Sequence, residues 1–181
     1  MFIVLEGIDC SGKTTATQLL SAQEGMLSYA TPPDAFRKKR ERIDTEAPPE
    51  EHYQFYLEGM RAASAEIRAL LARDISIVCD RYWLSTYIYH RIMGLKVDIA
   101  DFSDLVMPNL TILLLVGSAT QANRFLQRGL SAGDRRMINV QRQLEREYID
   151  TLAYLDIKSS SINTDHLTSQ EVVQRIVSEL Q

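Results

Sequence analysis

One stretch of this chain has the residue types and spacing to hold phosphate. Gly7-Ile8-Asp9-Cys10-Ser11-Gly12-Lys13-Thr14 fits the pattern G-x-x-x-x-G-K-[ST], in which loop N–H groups converge on the phosphates of a nucleoside triphosphate. Gly7 and Gly12 permit backbone shapes and close approaches that a Cβ would hinder. Lys13 is expected to reach the outer phosphates, and the Thr14 hydroxyl to coordinate Mg2+. The positive end of the following helix adds to the pull on the anion. Asp9, Cys10, Ser11 and Thr15 complete the expected phosphate-binding set. Chance produces such a pattern in a chain of this length less than roughly 1% of the time. By itself it leaves kinases, GTPases, ATPases and nonhydrolysing nucleotide-binding modules all open.

Such a cradle needs a strand before it and a helix after it. FIVLE (Phe2–Glu6) reads as a buried strand, and a helix follows from about Lys13 to Gln23, with Gly25 suited to its stop. Met26–Ala30 reads as a second strand ended by Pro32-Pro33. Tyr53, Leu57, Met60, Ile67, Leu70 and Leu71 recur near helical spacing over roughly Glu50 to Arg73. Strands are predicted at Ile75–Cys79, Asn109–Val116 and Ser159–Asn163. Helices are predicted over Leu84–Met93, Ser118–Gln127, Ile138–Leu155 and Ser169–Leu180. Solid apolar runs separated by helices indicate a parallel sheet covered on both faces, with ligands beyond the carboxyl ends of its strands. The prediction is a three-layer α/β fold of the P-loop NTPase type, with about five parallel strands and a single domain over 1–181.

The chain's 181 residues suffice for one core without disulfides or structural metal. Its net charge, 20 − 24 = −4, argues against a nucleic-acid partner. Cys10 and Cys79 are far apart and suggest no disulfide framework or zinc site, so a reducing cytoplasm is expected. The longest apolar run, Ile112 to Val116, is too short to span a bilayer. His52, His90 and His166 have no metal-ligand spacing and are read as non-catalytic.

The flanks narrow the choice. VLEGIDCSGKTT resembles the opening of the thymidylate kinase family, and Asp80-Arg81-Tyr82-Trp83-Leu84-Ser85-Thr86-Tyr87-Ile88-Tyr89 resembles that family's D-R-[YH]-x-x-S-x-x-x-Y segment. The run from Arg124 to Arg136, followed by Arg142, Arg146 and Tyr148, resembles its Arg-rich lid, at about 128–138 here. The resemblance implies an ATP-dependent nucleoside monophosphate kinase acting on a pyrimidine nucleotide, dTMP before others, with Mg2+ held by Thr14 and Asp80. It also implies a homodimer.

The acceptor residues it implies are Asp9, Phe55, Arg61, Arg81, Thr86 and Tyr89. Arg81 would clamp the acceptor phosphate, Thr86 bond the base and Tyr89 lie against the sugar. Because Cys10 stands where some members carry a basic residue, the transferring group would be met by Arg128, Arg135 or Arg136 of the lid. Together with Lys13 and Arg81 these form the expected catalytic set. The chain departs from the family in its long helix, where a Phe usually stands four residues before an Arg. Arg61 matches the Arg, but Leu57 stands at the Phe position, leaving Phe55 or Tyr56 as substitutes. The Pro32-Pro33 pair and the DRYW-x-S-T run look like the mitochondrial UMP–CMP kinase branch, which keeps a UMP/CMP acceptor open. Asp80 beside Arg81 keeps a deoxynucleoside kinase open, and a catalytically silent nucleotide-binding regulator is the non-enzyme alternative. The basic cluster Arg37-Lys38-Lys39-Arg40 reads either as a phosphate-holding group or as a solvated helix face.

Overall fold

The computed structural model describes residues 1–180. Five strands, β1 (Phe2–Glu6), β2 (Leu27–Ala30), β3 (Ile77–Asp80), β4 (Leu110–Leu115) and β5 (Ser159–Asn163), form one parallel sheet in the order β2-β3-β1-β4-β5. The apolar runs occupy the centre because β1, β3 and β4 are covered on both faces. The more polar LSYA and SSSIN lie at the two edges.

Successive side chains of a strand point to opposite faces, and the core divides accordingly. On one face Phe2, Val4, Ile77, Cys79 and Leu113 meet helices α3 (Pro49–Leu71), α4 (Trp83–Ile92) and α7 (Gln141–Tyr154). On the other, Ile3, Leu5, Val78, Ile112 and Leu114 meet α1 (Lys13–Glu24) and α8 (Ser169–Ser178). The remaining helices are α2 (Arg37–Glu46), α5 (Ser118–Arg128) and α6 (Ala132–Met137). Among the described residues, no helix is long and apolar enough to cross a membrane.

Three local differences from the sequence expectation have physical causes. β3 starts at Ile77 because α3 leaves through a tight turn, with Asp74 at φ 58° and the Ile75 amide bonded to the Leu70 carbonyl at 3.2 Å. The basic cluster Arg37–Arg40 opens a helix, α2. The Arg-rich segment is itself helical over α6, started by a capping box between Ser131 and Asp134. The order of strands reverses at β1, whose two neighbours are β3 and β4. A crevice at such a reversal is where open α/β sheets take ligands, and the loop leaving β1 is the glycine-rich one.

Candidate active site

β1 delivers Gly7 to the carboxyl edge of the sheet at φ 138°, a conformation that L side chains rarely adopt. A Cβ there would also run into the Leu114 carbonyl oxygen of β4. Gly7→Ala is therefore expected to lower stability by about 3 kcal/mol, strain and clash together. A denaturant midpoint equal to the wild type's would contradict that. The loop closes on Gly12 at φ 101°, and α1 starts immediately after it without a side-chain cap. Its first-turn N–H groups are thus free for an anion.

Lys13 is almost fully buried beneath this loop, its Nζ donating to the Ile8 carbonyl at 2.7 Å and the Ser11 hydroxyl at 3.2 Å. Burial, reinforced by the nearby Arg81 charge, lowers its pKa to about 8. At the outer rim the Thr14 hydroxyl donates to Asp80 Oδ2 at 2.5 Å. A hydroxyl and a carboxylate converging beside the phosphate loop form the oxygen donor set a hard divalent cation uses together with substrate phosphates. Thr15 lies exposed in the first turn of α1.

Arg81 follows β3 in the left-handed region, φ 65°, which is costly for a residue with a Cβ. It is held there by many partners. Its guanidinium donates to the Gly7 carbonyl (2.8 Å), Ser85 Oγ (3.2 Å), the Tyr148 hydroxyl (3.3 Å) and Asp9 Oδ1 (2.5 Å), and lies 5.2 Å from the Tyr89 ring centroid. Beneath it Glu6 is fully buried, accepting from the Tyr82 amide, the Ser85 hydroxyl and the Tyr148 hydroxyl. Burial raises the Glu6 pKa, with Ser85 and Arg81 working the other way. Burial also raises the Asp9 pKa, but the charges of Arg81 and Lys13 and a bond from Gln141 outweigh it, and the net shift is downward. Asp9 is thereby a firm anion that aims Arg81.

A second set of polar contacts, invisible in the sequence motifs, fixes the loop from the far side. Buried Gln141, at the start of α7, donates to Asp9 Oδ2 (3.0 Å) and accepts from the Asp9 amide (3.2 Å). Gln121 donates to the Asp9 carbonyl (2.8 Å), and Arg142 in turn donates to Gln121 Oε1 (2.6 Å). Arg124 donates to the Cys10 carbonyl (2.8 Å) and to the Thr164 carbonyl (3.0 Å). Arg124 and Arg142 fell within the Arg-rich run read from sequence, without their partners; Gln121 and Gln141 carried no signal there.

Beyond Arg81 opens a cavity of about 120 Å3 lined by Asp9, Arg40, Asp44, Tyr56, Thr86 and Tyr89, with His52, Met60, His90, Met93, Asp134 and Arg136 among its other walls. Of the acceptor residues expected from sequence, Asp9, Arg81, Thr86 and Tyr89 come together here. Phe55 and Arg61 are not brought to it. Phe55 packs into a side cluster with Ile43, Ala47 and Phe36, and Arg61 is half-exposed, 3.6 Å from Asp104. The face of α3 turned to the cavity is instead His52, Tyr56 and Met60.

The three lid arginines go three ways. Arg128 pairs with Asp134 at 2.6 Å, Arg136 donates to the Ala47 carbonyl at 2.9 Å beyond the end of α2, and Arg135 donates to the Leu130 carbonyl on the outside. Arg136 alone of the three lines the cavity. His166 is exposed and does not line the cavity. His52 and His90, read from sequence as outside the chemistry, stand in the cavity wall.

Comparison with known proteins gives one family. A family model described as thymidylate kinase matches residues 5–176. The chain is 32% identical to the thymidylate kinase of Nitratidesulfovibrio vulgaris over 152 residues, covering 74% of this chain and 67% of the relative. It is 30% identical to the probable thymidylate kinase of Archaeoglobus fulgidus over 139 residues, 71% of each. Among solved structures, thymidylate kinase from Candida albicans superposes with a TM-score of 0.81 at 19% identity, covering 98% of this chain and 89% of that one. The Ehrlichia chaffeensis thymidylate kinase gives 0.75 at 20%, covering 100% and 98%. At those identities the structural matches speak for the shared fold.

Proposed function

This chain belongs to the thymidylate kinase family and is an ATP-dependent nucleoside monophosphate kinase, and from that premise we propose how its residues divide the transfer from ATP to dTMP. The acceptor's anionic phosphate oxygen attacks the γ-phosphorus in line; the bond to the β-phosphate oxygen breaks, leaving ADP and dTDP. An acceptor of this kind is already a nucleophile and needs no general base, so positioning and charge neutralisation carry the rate.

Lys13 and the N–H groups from Gly7 to Thr15 hold the donor phosphates. Arg81 holds the acceptor phosphate, and Asp9 holds Arg81. Thr86 and Tyr89 face the nucleoside. Thr14 and Asp80 would hold Mg2+, which when bound neutralises donor phosphate charge. The lid, about 128–138, brings Arg128, Arg135 or Arg136 toward the transferring group, opening the Arg128–Asp134 ion pair or the carbonyl bonds of Arg135 and Arg136 as it does so. A cytoplasmic homodimer completes the proposal.

The observation that carries this reading is the join between cradle and cavity. Arg81 bonds the Gly7 carbonyl and the Asp9 carboxylate on one side and stands over Tyr89 on the other. Donor and acceptor phosphates therefore meet at one guanidinium. The test is ADP release from Mg·ATP with dTMP, dUMP, UMP, CMP and the free nucleosides, each against a no-acceptor control. Turnover with dTMP above the others supports the proposal. Turnover confined to UMP and CMP would replace the acceptor, and turnover confined to free nucleosides would make Asp80 a general base.

A further inference from the structure

The far end of the cavity is closed by a chain of polar side chains with no role in the scheme above. His90 Nδ1 lies 2.6 Å from the Thr86 carbonyl oxygen. A carbonyl only accepts, so Nδ1 carries a proton. Burial lowers the His90 pKa to about 4, which leaves the ring neutral and its Nε2 a lone pair. His52 Nδ1, 2.7 Å from that Nε2, is therefore the donor between the two rings. His52 Nε2 faces Asp44 Oδ1 at 3.4 Å. Burial raises the Asp44 pKa, yet bonds from His52 and Tyr56 and the charge of Arg40 outweigh it and hold the carboxyl low, as an anion. His52 thus stands between Asp44 on one side and His90 on the other.

We propose that His52 is a positioning residue for the acceptor: bridging Asp44 and His90, it ties α2, α3 and α4 together around the acceptor's nucleoside. The inference rests on the reading that this cavity takes the acceptor. Asp44 accepts from the Tyr56 hydroxyl at 2.8 Å, and His52 stacks on the Tyr56 ring with centroids 4.7 Å apart. Tyr56 is thus held on two sides by the same pair. At the other end His90 fixes the Thr86 carbonyl, and with it the turn of α4 that presents the Thr86 side chain. Loss of the His52 ring would break this bridge and loosen α2 from α3. The charged and titratable groups around His52 are Asp44 and Arg40 on α2, Tyr53 and Tyr56 on α3, Tyr89 and His90 on α4, and Asp134 and Arg136 on α6. Tyr53, Tyr56 and Tyr89 are all raised by burial and stay neutral. Among the groups that do carry charge, Asp44 is the one within contact distance of His52.

The experiment is the acceptor KM and kcat at saturating Mg·ATP for wild type, His52→Ala, His52→Gln and Asp44→Asn. His52→Ala and Asp44→Asn should each raise the acceptor KM about tenfold, the size expected for one charge-assisted hydrogen bond, with kcat and the ATP KM unmoved. His52→Gln, whose amide can still reach both partners, should recover part of the loss. An acceptor KM unchanged in His52→Ala, or a loss that falls equally on kcat and the ATP KM, would overturn the proposal while leaving the kinase assignment intact. A wild type that phosphorylates no monophosphate would remove the acceptor reading and this inference together.

Discussion

Lys13→Met will leave a folded protein whose kcat is lower by about three orders of magnitude, a loss of about 4 kcal/mol in transition-state stabilisation. The same substitution should raise the melting temperature of the nucleotide-free protein. Its ammonium is buried under the phosphate loop, with a pKa of about 8 against an ordinary 10.5. The native state therefore binds fewer protons than the unfolded chain between those values, and its stability rises with pH across that window. Below pH 8 the full difference, 10.5 − 8 = 2.5 units, disfavours the native state by on the order of 3 kcal/mol. Removing the charge relieves this, offset by about 1 kcal/mol for each lost bond to the Ile8 carbonyl and Ser11 hydroxyl. Calorimetry from pH 7 to 10 should show the stability of wild type rising relative to that of Lys13→Met, since the other titrating groups are common to both. A variant that lost activity and melted lower at neutral pH would mark Lys13 as a structural residue instead. A buried cation held at a thermodynamic disadvantage in the empty protein is what a group kept for an anionic ligand should look like.

Arg81→Ala is expected to lower kcat/KM for the acceptor by about three orders of magnitude while leaving the ATP KM within a few-fold. Arg81→Lys should recover only part of the loss. A lysine keeps the charge but cannot reach Gly7, Asp9, Ser85 and Tyr148 from one planar head. Position 81 sits at φ 65°, so Arg81→Gly separates two effects. It relieves backbone strain of about 1 kcal/mol, and so should be more stable than Arg81→Ala while no more active. If Lys at 81 restored full activity, the fork geometry would not matter and a simple point charge would be serving. If Gly and Ala were equally stable, the strained conformation would not be intrinsic to this site.

The long helix shows where legibility ran out. Its existence, and the burial of Tyr53, Leu57, Met60 and Ile67, followed from spacing alone. Which face it turns to the cavity did not. At about 100° per residue, Arg61 lies roughly 140° around the helix from Tyr56, whereas His52, Tyr56 and Met60 drift only about 40° per step and form one stripe. Aligning Arg61 on a family pattern placed a guanidinium in the cavity that the packing of Leu57 into the main core turns toward Asp104 instead. Once Leu57 is inside, Arg61 follows it four residues on, and Tyr56 takes the wall.

Legible in the residues alone were the parallel sheet, the succession of strands and helices apart from α2 and α6, and the cradle of Gly7 to Thr14. Those depend on alternation, helical spacing and a contiguous loop, which are properties of neighbouring residues. The sequence also marked Arg81, Thr86 and Tyr89, because one contiguous segment from the end of β3 into α4 carries all three. Packing chose the distant side chains that serve them: Glu6 under Arg81, Gln121 and Gln141 on Asp9, Arg124 on Cys10, and Asp44, His52 and His90 around Tyr56. Each of these polar groups is bound by the need to satisfy hydrogen bonds away from water. The partner that satisfies it is chosen by helix packing, which brings Glu6 and Tyr148, 142 positions apart, into contact.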